Sequence, residues 1–241
     1  LLSLTEATAR VLADTVPLPT ERVPLGDAVG RVLAAPLLAP RPLPPFDHSA
    51  MDGYAFAYAS LDAAPTGTLR LRGEARPGHP GPESVPPGSA CRIFTGAPLP
   101  AGADTVVMQE LVQVEADTVV MQERPAPGAN VRRAGEDLAA GDEALPAGRA
   151  LTIGHLALAG ALDRATLEVT RAPRLAILTT GDELRDAGSP AAAGSIVDTN
   201  GPMLAALAHA AGARVVLRER VSDDREATVA ALAAALDAAD L

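Results

Sequence analysis

The sequence predicts a mixed, multidomain fold. It has an N-terminal helical and extended linker region, a β lobe inserted into that region, and then the first half of an α/β domain with a parallel sheet. Three observations carry this prediction. Short β-type runs punctuated by Gly and Pro fill the chain from about Asp47 to Asp137. Helical spacing returns at Thr152, as expected of a lobe inserted between two halves of a linker. From Arg174 onward the pattern runs strand, helix, strand, helix, which predicts parallel pairing through right-handed crossovers. The expected boundaries are 1–46 and 140–172 for the linker region, 47–139 for the lobe, and 173–241 for the incomplete α/β domain.

In order along the chain, Ser3-Leu-Thr-Glu6 reads as a capping box, with Leu4, Ala7, Val11 and Leu12 then recurring at helical spacing until Pro17 and Pro19. Asp27 to Ala35 is a second, shorter helical candidate that carries Val29, Val32 and Leu33 and stops at Pro36. Both are read as packing elements. In the lobe, the strand candidates are Leu69 to Arg72, Ala90 to Phe94, Thr105 to Gln109, Thr118 to Gln122 and Ala129 to Arg133. The octapeptide Ala-Asp-Thr-Val-Val-Met-Gln-Glu occurs twice, from Ala103 to Glu110 and from Ala116 to Glu123. A unit this short is no solenoid repeat, and two successive strands of a hairpin is the simplest expectation. Thr152 starts a third helical segment with Ile153, Leu156, Ala157 and Gly160 on one face. Arg174 to Thr179 then reads as a buried strand, Thr199 to Ala211 as a helix closed by Gly212, Arg214 to Glu219 as a strand, and Asp224 to Ala239 as a helix with an acid at its start.

The totals exclude several classes of function. A net charge of −10 argues against nucleic acid or an anionic membrane surface as partner. With no Trp, two Tyr and three Phe, stacking platforms for single-stranded nucleic acid are missing and the core is expected to be aliphatic. No apolar run reaches the roughly 18 residues of a membrane span, and the N-terminal residues show no basic-then-apolar signal pattern, although the chain does not begin with Met. The single Cys91 suits a reducing compartment, so a cytoplasmic location is expected. His48, His79, His155 and His209 lack zinc-ligand spacing, and the nucleophile-elbow, P-loop and dinucleotide fingerprints are absent.

The stretch with the most chemistry runs from Arg41 to Ala55. Pro42, Pro44 and Pro45 make a stiff extended arm, and Asp47 and Asp52 follow it, the second acid before Gly53 in what reads as a tight turn presenting the carboxylate outward. Thr95 and Gly96 before Pro98 form another turn that would fix a hydroxyl and adjacent amides. Arg132 and Arg133 stand beside Glu136 and Asp137, where a planar guanidinium suits an oxyanion and a surface ion pair is the simpler alternative. In the α/β part, Thr179, Thr180 and Gly181 occupy the carboxyl end of a strand, with Asp182 and Glu183 behind them as hard oxygen ligands of the kind Mg²⁺ prefers. Asp198 and the pair Asp223 and Asp224 fall at two further loop or helix-start positions expected on the same edge. Each Asp alone reads first as a helix cap.

Pro44-Pro-Phe-Asp-His-Ser-Ala-Met-Asp-Gly-Tyr-Ala55 closely resembles the signature of the molybdopterin molybdenumtransferases, the MoeA and gephyrin E-domain family. Three more blocks resemble that family in order: Arg92 to Glu110, Asn130 to Asp137, and Leu175 to Leu184 followed by Ile196 to Asn200. The family usually carries Asn where this chain has His48. Its members continue beyond the point matching Leu241 into a Gly-Gly-x-Ser-x-Gly loop, a Lys-Pro-Gly-Lys-Pro segment and a further β domain, so this chain is expected to hold part of the usual site.

The resemblance implies that the α/β part is MogA/MoaB-like and that the reaction inserts molybdate into molybdopterin-adenylate with Mg²⁺ assistance and release of AMP. It implies catalytic roles for Asp52, Thr95, Asp137 and Glu183, substrate binding by Arg132, Thr180, Gly181, Asp198 and Asp223, and metal binding by Glu183 and Asp223. It also implies a homodimer, with the site between the lobe of one subunit and the α/β domain of the other, and a MogA-type molybdopterin adenylyltransferase as partner. Two alternatives stay open: a non-catalytic pterin-binding and dimerisation fragment, and an unrelated nucleotide-binding protein.

Overall fold

The computed structural model describes every residue except Leu1, Asp14, Pro65 and Pro80. The chain forms two compact units, Leu1–Pro36 with Leu145–Leu241, and Leu37–Ala144.

Helix α1 (Leu4–Ala13) opens the first unit. Its capping box forms as the sequence predicts: Glu6 N donates to Ser3 Oγ at 3.2 Å, and Ser3 N donates to Glu6 Oε2 at 2.8 Å. Strand β1 (Thr20–Pro24) follows. The helix expected over Asp27 to Ala35 does not form. A 3-10 turn covers Leu25–Asp27, and Val32 and Leu33 are extended, bridging Ala150 and Val169. A short isolated helix is marginal, and these antiparallel bridges bury Leu33 more completely than a free helical turn would.

The second unit is the lobe. Its elements in order are β2 (Leu37–Leu38), β3 (His48–Ser49), β4 (Gly53–Phe56), α2 (Ser60–Ala63), β5 (Thr68–Ala75), β6 (Ser89–Ile93), β7 (Thr105–Met108), β8 (Val112–Glu115), β9 (Thr118–Met121), β10 (Val131–Arg132) and β11 (Glu143–Leu145). Six of the strands form one mixed sheet in the order β7-β4-β6-β5-β9-β8, in which only β5 and β6 run parallel. Both faces of this sheet are packed. Tyr54, Phe56, Leu69, Ala90, Val107 and Val119 build one core, and Ala55, Ala75, Cys91, Ile93, Ala97 and Val106 build the other. Alternate residues of β4 therefore enter opposite cores, and all four residues of that strand are buried. The aliphatic core expected from composition is modified here, because Phe56 is fully buried and Tyr54 nearly so.

The two octapeptide copies do not pair with each other. The first supplies β7, which pairs antiparallel with β4, and the second supplies β9, which pairs with β5 and β8. The hairpin consists instead of β8 and β9. After the first copy a 3-10 turn (Gln109–Leu111) redirects the chain, so the intervening Val112 to Glu115 becomes the partner of the second copy.

Back in the first unit, α3 (Ile153–Ala161) begins at Thr152, whose Oγ1 accepts from His155 N while Thr152 N donates to His155 Nδ1. Strand β12 (Thr166–Thr170) pairs antiparallel with β1. The remaining elements are β13 (Arg174–Thr180), β14 (Leu184–Arg185), β15 (Ile196–Val197), α4 (Asn200–Ala210), β16 (Arg214–Val221) and α5 (Arg225–Ala238). Strands β13 and β16 pair parallel from Arg174 opposite Arg214 to Thr180 opposite Val221, as the alternating pattern predicts. Strand β13 is less buried than its apolar run suggests, since only Ile177 and Thr179 are shielded.

Candidate functional site

The lobe collects its chemistry where β3, β10 and the turn after β6 meet. Ser49 N donates to Ala97 O, and Gly96 N donates to Ser49 O, so β3 is stitched to the Thr95 turn on one side. On its other side β3 pairs with β10, which places Arg132 opposite His48. Asp52 lies just before β4, half-buried, and its Oδ1 accepts two hydrogen bonds, from Thr95 N and from Thr95 Oγ1, both at 2.8 Å. These donors, the amide first, hold the Asp52 carboxyl below the usual carboxylate range. The turn expected at Asp52-Gly53 is not what forms. Gly53 starts strand β4, next to the edge strand β7, and a Cβ there would lie 2.0 Å from Val107 O, so glycine is required by close backbone approach.

The acids flanking Arg132 and Arg133 have separate partners. Arg132 Nη2 donates to Asp137 Oδ1 at 2.6 Å, and Arg132 Nε lies 3.1 Å from Glu136 Oε2 in an ion pair. Glu136 also accepts from Arg133 N, the main reason its carboxyl is held below the ordinary range. Arg133 turns away to Asp47, its Nη1 donating to Oδ2 at 2.7 Å, while Ala134 N donates to the other Asp47 oxygen. Asp47 is thus a brace for the Arg132 loop. The Arg132 guanidinium is partly exposed between two acids, a planar donor fork suited to an oxyanion.

The second group of residues belongs to the other unit. Strands β13 and β16 end together at Thr180 and Val221, which puts Gly181, Asp182 and Glu183 on the same edge as Asp223. Asp223 N donates to Asp182 Oδ1 at 3.2 Å. Glu183 folds back over Gly181, whose absent Cβ would lie 2.5 Å from Glu183 Oε2. Thr180 is exposed at the strand end. Thr179 points the other way and donates to Asp198 Oδ2 at 3.1 Å.

Asp198 is buried, and its second oxygen accepts from Gly201 N at 2.9 Å, so the carboxylate is committed to the start of α4. That amide is the largest cause of its lowered pKa. Asp224 caps α5 by accepting from Ala227 N. Both helix starts on this edge are therefore closed by the chain's own acids, which leaves the loop from Thr180 to Glu183 as the candidate ligand-facing segment. Among the described residues, no three His, Cys, Asp or Glu side chains converge as a preformed metal cage. A Mg²⁺ that arrives with a phosphate ligand needs only one or two protein carboxylates, and the edge carrying Asp182, Glu183 and Asp223 fits that demand.

Residues that sequence reasoning did not single out also converge on Asp52. Arg92, three residues before Thr95, donates through Nη1 to Gly53 O at 2.9 Å and through Nη2 to Gln109 Oε1. Its only signal was a charged residue interrupting an otherwise buried strand. Cys91 beside it is buried, its thiol pushed up to about 11 mainly by desolvation, which keeps it neutral and unreactive.

Comparison with known proteins finds two family matches along the chain. Residues 2–162 match the family described as "MoeA N-terminal region (domain I and II)", and residues 176–241 match a "probable molybdopterin binding domain". The molybdopterin molybdenumtransferase of Haemophilus influenzae is 37% identical over 203 residues, covering 83% of this chain and 50% of that protein. A Nostoc enzyme of the same name is 38% identical over 225 residues, covering 92% of this chain and 52% of its own length. The crystal structure of the molybdopterin biosynthesis MoeA protein from Pyrococcus horikoshii OT3 superposes with a TM-score of 0.87 at 32% identity, over 98% of this chain and 64% of that one. The chain spans about half the length of the curated relatives it matches. The N-terminal family match covers about two thirds of the chain: the chain belongs to the MoeA family.

Proposed function

We propose that the protein to which these residues belong is a molybdopterin molybdenumtransferase, inserting molybdate into molybdopterin-adenylate and releasing AMP. The observation that carries the reading is the pairing of Asp52 with Thr95, a carboxylate kept ionised and aimed by two donors inside a family-matched lobe. In this reading Asp52, Thr95 and Asp137 act at the reacting centre, and Arg132 binds the oxyanion through the planar fork it now shares with Glu136 and Asp137. Thr180 and Gly181 receive the pterin phosphate edge as the Glu183 carboxylate, which fills the space over Gly181, turns to the metal. Asp198 holds the floor of that loop through Thr179 and Gly201.

Glu183 and Asp223 would hold Mg²⁺, which supplies charge neutralisation at the phosphoanhydride. The chain's own contribution is positioning: a fixed carboxylate, a guanidinium able to exchange partners, and a glycine cradle. The reading includes a cytoplasmic homodimer with the lobe of one subunit facing the α/β half of another, supplied with adenylate by a MogA-type adenylyltransferase. Among the described residues, no helix is long and apolar enough to cross a membrane. The division into linker (1–46, 140–172), lobe (47–139) and MogA/MoaB-like part (173–241) is proposed on the same grounds.

Molybdate-dependent release of AMP from the pterin adenylate, measured with the natural protein and with Asp52→Ala, tests this. Release that needs molybdate and collapses in the variant supports it. Pterin-adenylate binding without any turnover would replace it with the binding-module reading. Binding of ATP in preference to the pterin would replace both with a nucleotide-binding protein.

A further inference from the structure

We infer that Arg92 is a positioning residue for Asp52, gripping the carbonyl of Gly53 beside the acid and the glutamine whose amide holds the carbonyl of Asp52 itself. This rests on the transferase reading. Three contacts carry it. Arg92 Nη1 donates to Gly53 O at 2.9 Å, which fixes the Gly53–Tyr54 peptide, the second after Asp52. Arg92 Nη2 donates to Gln109 Oε1, and Gln109 N donates to Asp52 O at 3.0 Å, which fixes the carbonyl of Asp52 itself. Thr95, three residues beyond Arg92, takes the carboxylate. One short piece of chain therefore holds the acid's backbone with a guanidinium and its side chain with a hydroxyl and an amide.

The guanidinium is itself held. Its carbon lies 4.6 Å from the Phe94 ring centroid and 5.0 Å from that of Tyr54, so two aromatic faces limit its rotation. Tyr54 and Glu74 are its cross-strand neighbours on β4 and β5. A second guanidinium, Arg76, lies 5.3 Å from the outer Phe94 ring and is paired with Glu74. Gln109 passes the arrangement on to Glu110, its Nε2 donating to Glu110 Oε1 at 3.0 Å. The charges facing Asp52 are thus Arg92 and Glu110, and the Arg92 charge adds to the Thr95 donors in favouring the ionised acid.

The experiment compares Arg92→Gln, Arg92→Lys and Gln109→Leu with the parent natural protein. The readouts are molybdate-dependent AMP release and the ¹³C NMR titration of the Asp52 carboxyl, assigned with Asp52→Asn. For Arg92→Gln the expected result is a kcat lower by about 100-fold with KM within about threefold, and an Asp52 midpoint moved to higher pH. Arg92→Lys restores the midpoint but not kcat, since an ammonium carries the charge without the two-armed geometry. Gln109→Leu lowers kcat with the midpoint unmoved. A folded Arg92→Gln with parental kcat and parental midpoint overturns the inference; if that variant does not fold, an unchanged kcat in Gln109→Leu does so. If the parent releases no AMP, the transferase reading fails. The Asp52 midpoint in Arg92→Gln then decides the role of Arg92 alone, and an unmoved midpoint overturns it.

Discussion

Thr95 grips Asp52 twice on one oxygen, its backbone amide and its hydroxyl each 2.8 Å from Asp52 Oδ1 across 43 residues of sequence. Both donors favour the ionised carboxylate. Thr95→Val removes one of them and leaves the amide. Turnover is expected to fall about tenfold. The sign of the pH effect follows from the depressed pKa of Asp52: activity that needs the anion is present above that pKa and lost as pH falls through it. Losing a donor raises the pKa, so the acid limb of the kcat profile should move to higher pH, as a pH–rate series would record.

Gly53 is the tightest backbone contact in the lobe, with room for no side chain beside Val107 O. Gly53→Ala should force β4 and β7 apart and lower stability by about 3 kcal/mol. Urea denaturation monitored by far-ultraviolet circular dichroism checks this. An unchanged midpoint would show that the two strands can separate without cost.

Phe56 is the largest fully buried side chain of the lobe core. Phe56→Ala should cost about 3–5 kcal/mol, whereas Phe46→Ala, at a ring that is 46% exposed, should change stability little. The contrast between the two unfolding midpoints is the measurement.

Asp198 is buried, with donors on both oxygens and a depressed pKa. Its contribution to stability is complete above the ordinary aspartate range and is lost as pH falls through its lower folded pKa. Asp198→Asn removes that linkage. The variant should be less stable at neutral pH, and its stability should fall less on acidification than the parent's, as paired urea titrations at several pH values would show.

Gly181 adopts φ +142°, a region that disfavours any side chain, and it sits beneath the Glu183 carboxylate. Gly181→Ala should push Glu183 aside and weaken pterin-adenylate binding at least about tenfold, with a stability cost of about 1–3 kcal/mol. Calorimetric titration separates the two effects.

Much of the architecture was legible in the residues alone. The capping box at Ser3 and Glu6, the helix start at Thr152, the five lobe strands and the alternating strands and helices after Arg174 all express local rules of spacing and hydrogen bonding, which neighbours in sequence can satisfy by themselves. Asp27 to Ala35 was misread because its helical spacing was real but weak, and distant strand segments offered Val32 and Leu33 better burial.

The octapeptide shows where local information ends. Two identical copies carry identical intrinsic preferences, so nothing within them distinguishes a strand beside β4 from a strand between β5 and β8. Partner strands made that choice. The same holds for the site: sequence identified Asp52, Thr95 and Arg132 as residues with suitable chemistry, but the grip of Thr95 on Asp52, the hold of Arg92 on the backbone around it and the commitment of Asp198 to Thr179 are long-range contacts. The sequence by itself determined the elements and the chemical inventory of this protein. Its tertiary structure alone decided which of those groups meet, because hydrogen-bond geometry between distant residues depends on how the sheets pack rather than on any local propensity.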